Sequence, residues 1–486
     1  MVPTVNLRGI LAVLLLLAAS VAHGQEERYE QKFSRDLQYR GGNVTIDHRM
    51  GSLHLRVHEG STVSVRATIR SSDEDLGRQI RIHATEGAGG VAIRTEIPEV
   101  KMRNGRLSYS VDMHVTLPAN APLQAKNRFG SMDARGLRTA STLENKQGPL
   151  SFRDGRGSHV LENSFGPISA SNHTGNLAVR NSNGPIDVNT IQGSVDVTNR
   201  FGPVSVTDVE QGASINNANG PIDVMDIGGS LKLVNAFGPV EVSTIRGSAD
   251  ITNANGRLEV DNVSGSATVK NSFADTDVNG VRGALILAAN NSPVTVHDIG
   301  GNASISSSFA PIRVNAIHGS ATIKGSNGDI TANGIGSALT VDNRFGGVRA
   351  DHVRGNVNID NANGAVHLTN MSKDVRVRTS FASAFVDNVG GNVTIENANG
   401  AISVRGLPPG PCKAVSLRTS YSSIKLALPA SASYAVTART SFGRINTAFP
   451  ITTTSASEEN LTGTIGRGGC KLDLNNANGN ITIERE

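Results

Sequence analysis

Apolar residues return along this chain with two superimposed periods. Within short stretches they alternate with polar ones: Ile186 and Val188 flank Asp187, and Val195 and Val197 flank Asp196. Alternation with period two marks half-buried strands. Ile191 adds a third apolar point, and Gly184 and Gly193 punctuate two bends. The stretch from Asn181 to Thr198 therefore predicts two short strands joined by tight turns. The whole pattern then repeats every 18 residues. The column of Ile186 holds Ile168, Val204, Ile222, Val240, Leu258, Ile312 and Ile330. That of Val197 holds Val179, Ile215, Leu233, Ile251, Val269, Ile305 and Ile359.

The repeat has its own signature, the tetrad Asn-x-Phe-Gly or Asn-x-Asn-Gly. Its leading asparagine stands at Asn127, Asn145, Asn163, Asn181, Asn199, Asn217, Asn235, Asn253 and Asn271, and again at Asn343, Asn361 and Asn397, with Gln147 and Ala274 as departures at the third and fourth places. Ala289, Ser307, Gly325 and Thr379 fill the remaining registers, so the frame holds over sixteen copies. The third position alternates. Phe129, Phe165, Phe201, Phe237, Phe273, Phe309, Phe345 and Phe381 take every other copy, with Gln147, Asn183, Asn219, Asn255, Asn291, Asn327, Asn363 and Asn399 between them.

One 18-residue unit cannot bury its own apolar edge, but stacked identical units can, because each residue meets its counterpart one rung away. The predicted fold is all-β: an elongated single-chain parallel β-solenoid (β-helix) of 18-residue rungs with irregular β caps at both ends. Sixteen rungs at about 4.8 Å make a rod of roughly 75–80 Å. The leading asparagines are expected to hydrogen-bond side chain to side chain along the rod and to accept a left-handed bend. The phenylalanines are expected to fill a corner of the core, an exposed stripe being the alternative. The calcium-binding nonapeptide roll is excluded because G-G-x-G-x-D is absent, and the hexapeptide helix because apolar residues do not recur every six.

Composition agrees with many short strands and tight turns: 53 glycines, no tryptophan and 4% aromatics. The 46 basic and 42 acidic residues give a net charge of +4 without a long Lys/Arg run, which argues against nucleic acid as a partner. At the N-terminus, Arg8, the apolar run Ile10 to Ala19 and Ala22-His23-Gly24 read as a secretory signal peptide over residues 1–24. The chain is thus expected to be exported, to the periplasm, the cell surface or the medium, with no transmembrane segment once mature. Residues 25–126 are assigned to an N-terminal cap, 127–405 to the solenoid and 406–486 to a C-terminal cap, where Leu407-Pro408-Pro409-Gly410-Pro411 interrupts the frame. Cys412 and Cys470 can pair in an oxidising compartment, provided they lie on adjacent rungs.

These residues resemble a family of exported bacterial β-strand-repeat proteins classed as adhesins, whose domain has no assigned function. The resemblance rests on Val111 to Pro118 followed by Asn127-Arg128-Phe129-Gly130, on the N-x-x-G-x-I-x-V copies, and on Ile424 to Pro429, Thr440 to Gly443 and Asn478 to Ile483. It implies the fold and an exported location, and it brings no catalytic residue.

Candidate chemistry is sparse. Asp223, Glu241, Glu259 and Asp277 occupy one outward column on four successive rungs. Like charges about 4.8 Å apart repel, and a Ca2+ ion would relieve them; a solvated acidic face is the simpler expectation. His48, His54 and His58 lie on neighbouring strand segments and are expected at the surface, a metal site being the alternative. Aromatic sugar platforms look scarce without tryptophan. Nucleophile elbows, phosphate-binding glycine loops and H-E-x-x-H are absent. The chain is therefore expected not to be an enzyme but a binding or structural protein of the cell envelope, presenting a repetitive surface to a glycan, a protein or a second copy of itself. The alternatives are a carbohydrate-active β-helix enzyme using the acidic ladder around Glu241 and Glu259, and a periplasmic scaffold or envelope-stress factor.

Overall fold

The computed structural model describes residues 29–99, 107–410 and 413–486. The segment expected to be a signal peptide and Cys412 lie outside the described residues. The chain forms a parallel β-solenoid of about 17 turns spaced by roughly 18 residues. Each rung contributes one strand to each of two long sheets. In one rung, Ile186–Gln192 pairs in parallel with Val204–Val209, while Val195–Phe201 pairs with Ala213–Asn219, always in exact 18-residue register. Every inward residue therefore sits on its own counterpart, and Ile186, Val188, Ile191, Val195 and Val197 are all buried.

The third apolar point has a backbone cause. Thr190 adopts φ 56°, and so in left-handed conformation do the residues 18 positions apart from Asp154 to Gly406. Because this residue breaks the pleat, positions 189 and 190 both face outward and Ile191 turns back into the core. Asn, Asp and Gly occupy most of the column, the residues that accept this conformation at least cost.

The second bend lies at the tetrad, and here two expectations are corrected. The left-handed residue is glycine at the fourth position, as at Gly184 with φ 144°, and not the leading asparagine. A Cβ at Gly184 would run into the carbonyl of Gly166 on the rung before. Nor do the asparagines bond one another. Asn181 Nδ2 donates to Gly166 O at 2.9 Å and Gly184 O at 3.3 Å, tying two rungs together through backbone carbonyls. The geometry recurs at Asn145, Asn217 and Asn361. These amides are buried, so the bonds satisfy carbonyls that no strand partner reaches.

The ends are closed by a change of strand direction. Asn43–Met50 and Leu53–His58 already lie in solenoid register, with His48 beside Asn127 and Leu53 beside Met132. Beyond them, Thr62–Ser71 runs antiparallel to both Tyr29–Gln38 and Tyr109–Pro118, and Arg81–Gly87 antiparallel to Gly90–Glu96. Among the described residues there is one short helix, Glu74–Gln79, capped by Asp73, whose carboxylate accepts from Leu76 N at 2.8 Å.

At the C-terminal end the order of rungs departs from the order of the chain. Cys470–Asn476 inserts between Val415–Thr419 and Tyr434–Arg439, parallel to both. Asn460–Ile465 then pairs antiparallel with Tyr434–Arg439, and Ile451–Ala456 antiparallel with Asn460–Ile465. Antiparallel strands at both ends cover stacked edges that would otherwise template another chain.

Candidate binding surface

The phenylalanine column does not fill the core. From Phe129 to Phe381 its eight members are 42% to 66% exposed. The bend explains this. The neighbouring buried position is already taken by the asparagine amide, and the third residue of the tetrad points outward just before the left-handed glycine. Tyr421 and Phe442 continue the column at 68% and 76% exposure.

The alternation of ring and amide is kept in space throughout. Gln147 lies in register with Phe129 and Phe165, Asn183 with Phe165 and Phe201, and Asn219 with Phe201 and Phe237. In chain order the last members are Phe381, Asn399, Tyr421, Phe442 and Asn478, which would set two aromatics side by side. The inserted strand prevents this. Asn478 donates its backbone N–H to Ser420 O on one side and pairs with Phe442 on the other, so it separates Tyr421 from Phe442. The result is one edge with ten exposed aromatics, each two rungs from the next. Every residue at this position is uncharged from Phe129 to Phe442, and the residue after it is Gly, Ala or Ser.

The other sequence candidates are dispersed. Asp223, Glu241, Glu259 and Asp277 do stack in register. Arg257 lies 3.0 Å from Glu259 and 3.3 Å from Asp277, so a side chain already offsets the repulsion at that end. Among the described residues no group of three or more His, Cys, Asp or Glu side chains is arranged to hold a metal ion.

The three histidines separate. His48 is buried rather than at the surface, with Nδ1 2.8 Å from Thr95 Oγ1, and burial pushes its pKa down to about 4. His54 stacks on His114, ring centroids 4.4 Å apart, a pairing set by strand register that the sequence spacing hid. His58 donates from Nε2 to Thr62 O. Two further histidines that sequence reasoning passed over, His159 and His173, are packed inside the solenoid against Phe152. Their signal was their place in inward columns.

A groove of about 950 Å³ follows the bend at the opposite end of the Val195–Phe201 strands, from Pro122 to Ser230. Its walls repeat Ser, Ala, Leu and Asn, with Asp196 and His159 the titratable side chains lining it. His159 is buried and held near neutrality, its pKa lowered to about 4 by burial. The groove brings together no nucleophile, base and oxyanion donor. Among the described residues no helix is long and apolar enough to cross a membrane.

The chain has structural similarity to a provisionally named cell adhesion protein from Clostridium sporogenes ATCC 15579, at 6% identity and a TM-score of 0.17, covering 94% of this chain and 100% of that one. It is also similar to a provisionally named adhesin from Parabacteroides distasonis ATCC 8503, at 12% identity and a TM-score of 0.16, covering 70% and 97%. No curated protein matches the sequence. The family model described as Toastrack DUF4097 matches residues 110–484, from the strand Tyr109–Pro118 to the last strand of the solenoid, and the chain belongs to that family.

Proposed function

We propose that this chain is an exported, non-catalytic, adhesin-like protein of the cell envelope that binds its partner along the aromatic edge. One observation carries the reading: ten exposed aromatics in a single uncharged line on a rigid rod. Exposed apolar area of this extent on a soluble chain marks an interaction surface. The rod supports the reading because its parallel ladders fix the spacing of the line before any partner arrives, which removes an ordering cost from binding.

The test is localisation of the full-length protein by cell fractionation, with protease shaving of intact cells, beside attachment of a deletion strain to surfaces. The expected result is envelope-associated protein open to external protease and weaker attachment on deletion. A cytoplasmic chain, or unchanged attachment on deletion, refutes the proposal.

A further inference from the structure

The aromatic edge has a period, and the period has chemical content. Strands in a sheet lie about 4.8 Å apart, so rings on alternate rungs recur at about 9.6 Å. Each ring stands beside a Gly, Ala or Ser and is not crowded by its neighbour. Between rings lie the carboxamides of Gln147, Asn183, Asn219 and their successors, partly exposed. The edge thus offers, in strict alternation, an apolar ring and a group that both donates and accepts hydrogen bonds.

The 36-residue repeat alone does not account for this. Stacking in chain order would leave Tyr421 and Phe442 adjacent, whereas the inserted rung interposes Asn478 and restores the alternation where the chain order breaks it. The alternation is therefore a property of the surface.

We infer that the edge from Phe129 to Phe442 is a binding track for an extended β-1,4-linked glycan lying along the rod. This rests on the binding-protein reading above. In such a glycan each sugar is turned over relative to the last, so the same face returns every second sugar, at a distance close to two rungs. The C–H face of a pyranose packs on an aromatic ring, whose face carries negative charge density. The hydroxyls of the intervening sugar meet the carboxamides. The chemistry is matched in charge as well, since every side chain at the ring and amide positions is neutral. A flat apolar partner would instead seal those amides from water without hydrogen bonds, at a cost for each.

The experiment is co-sedimentation of the purified full chain with insoluble chitin, cellulose and peptidoglycan. It is run beside Phe165→Ser/Phe201→Ser/Phe237→Ser and the control Val234→Ser/Ile286→Ser, which removes exposed apolar side chains from a sheet face. All are surface changes, and circular dichroism checks that each variant keeps its β structure. Binding to at least one glycan is expected, weakened roughly tenfold or more by loss of three rings and unchanged in the control. No binding to any of the three overturns the inference, as does binding indifferent to the rings. So does a sedimentation-velocity dimer of the wild type that the ring variants dissociate, which would assign the edge to a second copy. Attachment by cells that persists with the ring variants sinks the glycan track and leaves the adhesin reading standing. Ring-dependent glycan binding with no attachment defect on deletion does the reverse.

Discussion

Phe273 carries φ 65° because Ala274 stands where most neighbouring rungs place a glycine. In the glycine rungs from Gly130 to Gly256 the fourth tetrad residue takes the positive φ. An alanine there would meet the carbonyl of the rung below, so the turn is displaced by one residue. Asn291 before Ser292 and Phe309 before Ala310 do the same, whereas Phe381 before Ala382 does not.

A bulky residue at positive φ costs about 1 kcal/mol or more. Ala274→Gly is therefore expected to let the turn return to the glycine position and to raise stability by about 1 kcal/mol, less the entropy of the new glycine. Chemical denaturation checks the sign, and a lower midpoint would contradict it.

The buried asparagines act as donors to carbonyls on two rungs, and the chain itself shows what can replace them. Thr419 Oγ1 donates to Gly400 O and Thr440 Oγ1 to Gly479 O, each at 3.0 Å. Asn217→Thr is thus expected to be tolerated better than Asn217→Val, which has the same shape without the hydroxyl. The expected difference is about 1–3 kcal/mol, the cost of a buried carbonyl left without a donor. Equal stabilities for the two variants would show that the bond is not what holds the column.

The inserted C-terminal rung places Val415–Thr419, the first strand after Cys412 in the sequence, beside Cys470–Asn476. Val415, three residues after Cys412, pairs with Leu472, two residues after Cys470. Adjacent rungs are the placement that a disulfide requires. Thiol counting on unreduced, denatured protein is expected to find no free thiol. Cys412→Ser with Cys470→Ser is expected to loosen the C-terminal end, by about 4 kcal/mol for a loop of this length. Two reactive thiols in protein purified from its own compartment would contradict the pairing.

His48 and His159 give the fold an acid limit. Both are buried and neutral, each with its pKa lowered from 6.5 to about 4. A depressed folded pKa means that the unfolded chain binds the proton first. Their contribution is then complete above pH 6.5 and is lost as the pH falls through about 4, about 3 kcal/mol for each. Stability measured from pH 7 to 4 should fall accordingly, and His159→Leu should flatten part of that fall. An unchanged slope in the variant would remove His159 from the account.

The solenoid itself was legible because its cause is local and repeated. Each column of Ile and Val fixes which face is buried, and the 18-residue period fixes which rung it meets. The first bend was half legible. Ile191 announced a third inward point, but the left-handed residue before it changes identity from Thr190 to Asp208 to Ala316 and shows no fixed letter. The phenylalanines were misplaced because a regular apolar position looks the same whether it faces inward or outward. Only the packed bend shows that the asparagine takes the interior and leaves the ring outside.

What the sequence determined by itself is the rung: its length, its inward columns and the places of its two bends, all set by contacts between residues that are neighbours or exact counterparts. What only the tertiary structure decided is the order of rungs at the C-terminal end and the continuity of the aromatic edge across it. Asn478 reaches its place between Tyr421 and Phe442 because a later strand inserts between two earlier ones. That choice depends on pairings between distant segments, and no local periodicity records it.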